Sequence, residues 1–114
     1  MMIKQFEIWI ADLNPKIGTE PGKVRPVLIL QTDLLNKAHP SFIICPITSN
    51  VKLESEILRV HIKKGLCGVK ENCDIMIDQI RAIDSKRLIK KIGILSDELI
   101  SIVKENIKII LDLD

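Results

Sequence analysis

The sequence predicts a mainly β domain with some α, an α+β chain in which a small, mostly antiparallel β-barrel carries a C-terminal helix. Three observations predict it. Short apolar runs alternate with turn signals through most of the chain. The final segment changes to a helical period. The length, 114 residues, is enough for one core and too short for two, so 1–114 reads as a single domain.

Taken in order, Glu7–Ala11 (EIWIA) is the first strand, ended by Asp12 and the turn-initiating pair Asn14–Pro15. Lys16–Lys23 holds two glycines and a proline and is a loop. Arg25–Gln31 (RPVLILQ) is a continuous apolar run, a buried strand with Pro26 at its start. Thr32–Ala38 gives a turn or two of helix, closed by His39–Pro40. Phe42–Ile47 (FIICPI) is a second buried strand in which Pro46 needs an edge position or a bulge. A polar turn, Thr48–Lys52, precedes Glu56–Ile62, whose alternation predicts a strand with one wet face. After the loop Lys63–Asn72, Asp74–Ile83 is the longest strand candidate, and Lys86–Leu95 contains a shorter one. Leu99, Val103, Ile107 and Ile110 then form a helical stripe, widened by Ile100 and Leu111, with Ser96 as N-cap and Asp97 and Glu98 in the first turn.

Apolar residues make up 46% and charged residues 28%, which excludes a disordered chain. A net charge of only +2 excludes a polybasic coat, so any nucleic-acid binding must use a local basic patch. The only aromatics are Phe6, Trp9 and Phe42, too few for a sheet that stacks bases on exposed rings. No signal peptide and no membrane span is expected, since Glu7 and Asp12 interrupt the first apolar stretch. Cys45, Cys67 and Cys73 match no zinc or redox spacing, which points to reducing cytoplasm. His39 and His61 match no metal motif either, although spacing alone leaves a zinc site or a two-histidine nuclease open.

Four places carry polar residues that a fold does not obviously require. The loop Gly18–Pro26 combines mobile glycines with Arg25 beside a rigid proline, which suits phosphate; on the residues alone it reads more readily as a long hairpin loop with a solvated edge charge. It is no P-loop, because the Gly-Lys-Ser/Thr ending is missing. Thr48, at a strand end, suits a phosphate oxygen or ribose hydroxyl, or else caps the turn Ser49–Asn50. In an extended strand Gln79 and Arg81 share one face, either to serve a site or to satisfy a structural ion pair. Asp84, before Ser85-Lys86-Arg87, reads as a turn cap. The pairs Lys63–Lys64 and Lys90–Lys91 read as solvated surface.

Together these pieces resemble the MazF/PemK family of mRNA interferase toxins. Glu7-Ile8-Trp9 with Asp12-Leu13-Asn14-Pro15 is similar to the family's first strand and turn. Gly18-Thr19-Glu20, Gly22 and Arg25-Pro26-Val27-Leu28-Ile29-Leu30-Gln31 resemble its most diagnostic block. Pro46-Ile47-Thr48-Ser49 and Asp78-Gln79-Ile80-Arg81-Ala82-Ile83-Asp84 with Arg87-Leu88 follow in family order. The resemblance implies an SH3-like barrel, a homodimer, and sequence-specific cleavage of single-stranded RNA at short motifs; because RNA supplies its own nucleophile, the ribose 2′-hydroxyl, no metal or cofactor is expected. It places the two catalytic positions on Arg25 and Thr48. Thr19, where many members have Ser, falls in the substrate loop, and Glu20, Gln79 and Arg81 border the groove. It also implies an acidic antitoxin in the same groove, against Lys16, Lys23, Arg25 and Arg81. Cys45 departs from the family's small or aliphatic residue, and Lys52–Ser55 and Gly65–Asn72 match poorly, in loops that help to choose the RNA motif. Two rivals remain. CcdB-type toxins use the same barrel to poison DNA gyrase, but dock through a C-terminal Trp-Gly-Ile, whereas this chain has no Trp beyond Trp9. The other is a catalytically dead binding member.

Overall fold

The structure is a computed structural model that describes residues 2–19 and 22–114. In chain order it forms β1 (Glu7–Asp12), β2 (Val24–Ile29), a short helix α1 (Asp33–Asn36), β3 (Ser41–Thr48), β4 (Arg59–Ile62), β5 (Cys73–Met76), β6 (Arg81–Asp84), β7 (Leu88–Ile94) and helix α2 (Asp97–Leu111). The strands make one antiparallel sheet in the order β4-β5-β3-β2-β1-β7, with β6 also paired to β3.

The apolar runs are continuous because both faces of the sheet are buried. Ile8, Leu28, Cys45 and Ile47 point to one face, where they pack with Ile75, Leu95 and Val103 of α2. Trp9, Val27, Ile29, Phe42 and Ile44 point to the other, with Leu13, Ile83 and Leu88. Alternation along each strand sends neighbours to opposite cores, so no polar face is left to break the run. Glu7 is a buried carboxylate in this frame. It accepts from Lys4 N at 2.8 Å and Trp9 Nε1 at 3.0 Å and pairs with Lys91 Nζ at 2.9 Å. Burial pushes its pKa up, but these donors outweigh burial and leave it below the ordinary value.

Mainly β with a C-terminal helix is what the sequence predicts, but the barrel is not closed. Among the described residues no ladder joins β7 to β4. The two ends meet by a different contact. β7 carries register irregularities against β1 at Ile8/Trp9 and Ile10/Ala11, and bulges of this kind bend and twist a strand. Its far end runs against the β4–β5 loop, backbone to backbone. A Cβ on Gly93 would collide with the Cys67 carbonyl, and one on Gly68 with the Ile92 carbonyl. Glycine at both positions is what permits the approach.

The predicted long strand Asp74–Ile83 is broken. β3 takes three steps from Ile44, opposite Arg81, to Ile47, opposite Ile75, whereas the other chain takes six between those partners. The surplus residues form a three-residue 3-10 turn, Ile77–Gln79. Gln79 and Arg81 therefore do not share a strand face. The same change of partner accommodates Pro46, which falls between the β6-paired and β5-paired stretches of β3 and pairs only with Val27.

The strand expected at Glu56–Ile62 is shorter, Arg59–Ile62. Asp84 caps a second 3-10 turn, Ser85–Arg87, by accepting from Lys86 N. In α2, Ser96 accepts from Leu99 N and Asp97 and Glu98 occupy the first turn. Val103 is fully buried, whereas Leu111, placed on the apolar stripe, is exposed. The buried polar residue of α2 is Asn106, whose Nδ2 donates to Glu56 O at 3.0 Å and ties the helix to the β3–β4 loop.

Candidate active site

Strand register brings Arg25 and Thr48 together. Val27 on β2 pairs with Pro46 on β3. From there the chains run two residues further, to Arg25 and Thr48, and both side chains line one cleft of about 440 Å³. The end of β3 adds Ile47 and Ser49, β1 adds Ile10, β7 adds Lys90 and Ile92, and the β4–β5 loop supplies Gly68 to Glu71. Among the described residues, Lys23, Arg25, Lys70 and Lys90 face it against the single carboxylate of Glu71. A chain of net charge +2 thus concentrates cations where a polyanion would lie.

Arg25 is half-buried and its Nε donates to Gly22 O at 2.8 Å. That uses one of the five N–H donors of a guanidinium. Among the described residues no carboxylate forms an ion pair with it. Burial lowers its pKa from the ordinary value by stripping hydration from the cation. Thr48 Oγ1 accepts from Asn50 N at 3.1 Å, so it does cap the following turn. Accepting that bond leaves the hydroxyl hydrogen available for a donor role in the cleft. Cys73 also lines the cleft, but burial, with Asp74 and other neighbours, pushes its pKa up to about 11. Such a thiol stays protonated at neutral pH and is no nucleophile. Cys45 is buried in the core and its pKa is pushed up to about 12.

Of the other expected site residues, those that the structure describes stand apart from this cleft. Thr19 lies in an exposed turn beside Gly18, whose φ is +57°. Glu20 falls outside the described residues. Gln79, half-buried, ends the 3-10 turn, and Arg81, also half-buried, opens β6 opposite Ile44. None of Thr19, Gln79 and Arg81 lines the cleft. Lys16 is exposed and outside it as well, whereas Lys90, expected as plain surface, is inside, because β7 sets it opposite Ile10.

A second group was not legible in the sequence. Thr48 stands opposite Asp74 on β5, and Asp74 opposite His61 on β4. Asp74 is fully buried and accepts from Lys52 N at 2.8 Å, Arg59 Nη1 at 3.1 Å and His61 Nδ1 at 2.5 Å. The predicted wet face of β4 is thus the face that pairs with a buried carboxylate. The one available signal was opposite charge on two strand candidates, Arg59 and Asp74. Among the described residues no group of three or more His, Cys, Asp or Glu could hold a metal ion, and no helix is long and apolar enough to cross a membrane.

The sequence model of a family described as PemK-like, MazF-like toxin of type II toxin-antitoxin system matches residues 4–111. The chain belongs to this family. Within it, the chain is 37% identical over 113 residues to Endoribonuclease EndoA of Bacillus subtilis (strain 168), covering 99% of this chain and 97% of that protein. Mycobacterium tuberculosis toxin MazF-mt6 matches with a TM-score of 0.80 at 26% identity, over 95% of this chain and 98% of that one. The fold of MazF from Deinococcus radiodurans matches with a TM-score of 0.85 at 21% identity, over 99% of each chain. Family membership gives the toxin and its antitoxin system; the roles of individual residues rest on the cleft.

Proposed function

We propose that this PemK-like, MazF-like toxin is an endoribonuclease that cleaves single-stranded RNA without a metal ion. One observation carries the reading: Arg25 and Thr48 line the same cation-rich cleft. The family and the relative named as an endoribonuclease support it. RNA brings its own nucleophile. The ribose 2′-hydroxyl loses its proton and attacks phosphorus, the bond from phosphorus to the 5′-oxygen breaks, and that oxygen takes up a proton. The products are a 2′,3′-cyclic phosphate and a 5′-hydroxyl end. Arg25 sets its fixed positive charge against the extra negative charge of the phosphorane. Thr48 holds a phosphate oxygen or the 2′-hydroxyl in line. A guanidinium begins from a pKa above about 12, so electrostatic stabilisation is the main role of Arg25 even with its pKa lowered. Thr19, Glu20, Gln79 and Arg81 are assigned to RNA beyond the scissile phosphate. With labelled single-stranded RNA in excess EDTA, discrete fragments should appear and duplex RNA should survive. Cleavage that begins only when a divalent metal is added would overturn the mechanism. No observation favours the gyrase-poison reading.

The reading extends to partners. The toxin is proposed to act in the cytoplasm as a homodimer, in which exposed apolar side chains such as Leu34, Leu35 and Ile43 are available for a two-fold interface. An acidic antitoxin would fold into the cationic cleft and exclude RNA from it. Sedimentation of the free protein checks the first point: a species of 12.9 kDa at micromolar concentration would contradict it. For the second, a stable ternary complex of RNA, antitoxin and the Arg25→Ala protein would mean inhibition by another route.

A further inference from the structure

The hydroxyl of Thr48 is connected to the interior by an unbroken run of hydrogen bonds. Its Oγ1 accepts from Asn50 N at 3.1 Å, and Asn50 O accepts from Arg59 Nη1 at 3.1 Å. The same Arg59 Nη1 lies 3.1 Å from Asp74 Oδ2, which also receives Lys52 N at 2.8 Å. Asn50 is therefore gripped on its N–H by Thr48 and on its carbonyl by Arg59, and Lys52 is fixed to the same carboxylate two residues on. His61 Nδ1 holds the other oxygen, Asp74 Oδ1, at 2.5 Å. The Asp74 side chain is fully buried, that of Arg59 is 14% exposed and that of His61 30%.

We propose that Arg59, His61 and Asp74 form a buried clamp on the turn Ser49–Lys52 that positions the Thr48 hydroxyl in the cleft. In this turn Ser49, Asn50 and Lys52 are exposed, and its one apolar side chain, Val51, is only half-buried. A buried, paired carboxylate has few alternative arrangements, because leaving it unpaired is costly. The clamp therefore transfers the rigidity of β4 and β5 to the turn that holds the side chain of Thr48, the last residue of β3, whose backbone already pairs with Asp74. None of Arg59, His61 and Asp74 lines the cleft, so they touch no substrate and act as positioning residues. The catalytic part of the inference rests on the proposed role of Thr48; the structural part does not.

The test uses full-length protein carrying Asp74→Asn, Arg59→Gln or His61→Gln, each checked for folding by circular dichroism. Two milder variants keep the test alive if Asp74→Asn does not fold. Single-turnover cleavage should slow by about 10- to 100-fold in Asp74→Asn and Arg59→Gln, the scale of a small misplacement at a reacting group. Binding of RNA carrying a 2′-deoxy sugar at the cut site should change by less than about threefold, since the cationic cleft is untouched. The decisive measurement is the cycle with Thr48→Ala. Residues that act through Thr48 lose their effect once it is gone, so Thr48→Ala/Arg59→Gln should cut no more slowly than Thr48→Ala. Multiplicative losses would overturn the clamp as a positioning device. Amide exchange reads the structure separately: Asn50 and Lys52 should lose protection in Asp74→Asn while Ile47 and Ile75 keep theirs. Unchanged protection at Asn50 and Lys52 would overturn the clamp whether or not RNA is cut. If wild-type protein cuts no RNA, the functional reading fails and the exchange result alone decides the clamp.

Discussion

Replacing Arg25 by alanine should lower RNA cleavage by about 100- to 1,000-fold or more, the usual loss when one preorganised charge donor is removed. The protein should stay folded, because Arg25 sits near the start of β2 and, among the described residues, only its Nε is bonded, to Gly22 O at 2.8 Å. Arg25→Lys should not restore the rate, since an ammonium cannot fork onto two phosphorane oxygens. Thr48→Ala should be milder or comparable, because it removes orientation and not charge. The measurement is single-turnover cleavage of a defined RNA, with circular dichroism to confirm the fold. A near wild-type rate for Arg25→Ala would move the catalytic centre elsewhere, with Arg81 the next candidate. That outcome would need RNA to lie along β6, away from the cleft.

The second large effect should come from a residue with no functional group. Gly93→Ala places a methyl against the Cys67 carbonyl, a backbone atom that cannot swing aside. Overpacking of this kind costs about 1–3 kcal/mol. β7 and the β4–β5 loop must separate, and Ile92 and Gly68 on either side of the contact both line the cleft. Stability and cleavage should therefore fall together in Gly93→Ala, whereas Arg25→Ala loses cleavage alone. Denaturant unfolding decides it. A Gly93→Ala protein as stable as wild type would show that the two backbones are not in contact in solution.

Periodicity located the strands and the helix because burial on both faces leaves a strong local signature, as in Val27–Ile29 and Ile44–Ile47. It failed where structure depends on comparing two distant segments. The break at Ile77–Gln79 follows from a mismatch in step number between β3 and its partners, which neither segment records alone. Closure failed for a related reason: alternating strands suggest a barrel, but the meeting of Gly68 with Gly93 is a matter of shape. Arg25 and Thr48 were legible as a pair through their resemblance to a family, and the register of β2 on β3 supplies the physical reason. Lys90 was misread because its neighbour Ile10 lies at the other end of the chain. Asp74 was read as the start of a strand, since only its partners Arg59 and His61 reveal that the carboxylate is buried. Position in sequence says little about which charges are wet.

The pairing of β1 with β7 also dictates when the cleft can exist. Its lining runs from Ile10 to Ile92, so contacts between the two ends of the chain must form before it is enclosed. Contacts so distant in sequence are slow to form, because a long loop must close before they repay its entropy. A chain emerging from a ribosome presents β1, β2 and β3 first, with the β1 edge bare and no opposite wall. No fragment that stops short of β7 contains the cleft. The cleft therefore becomes available only once β7 has been made and has paired with β1.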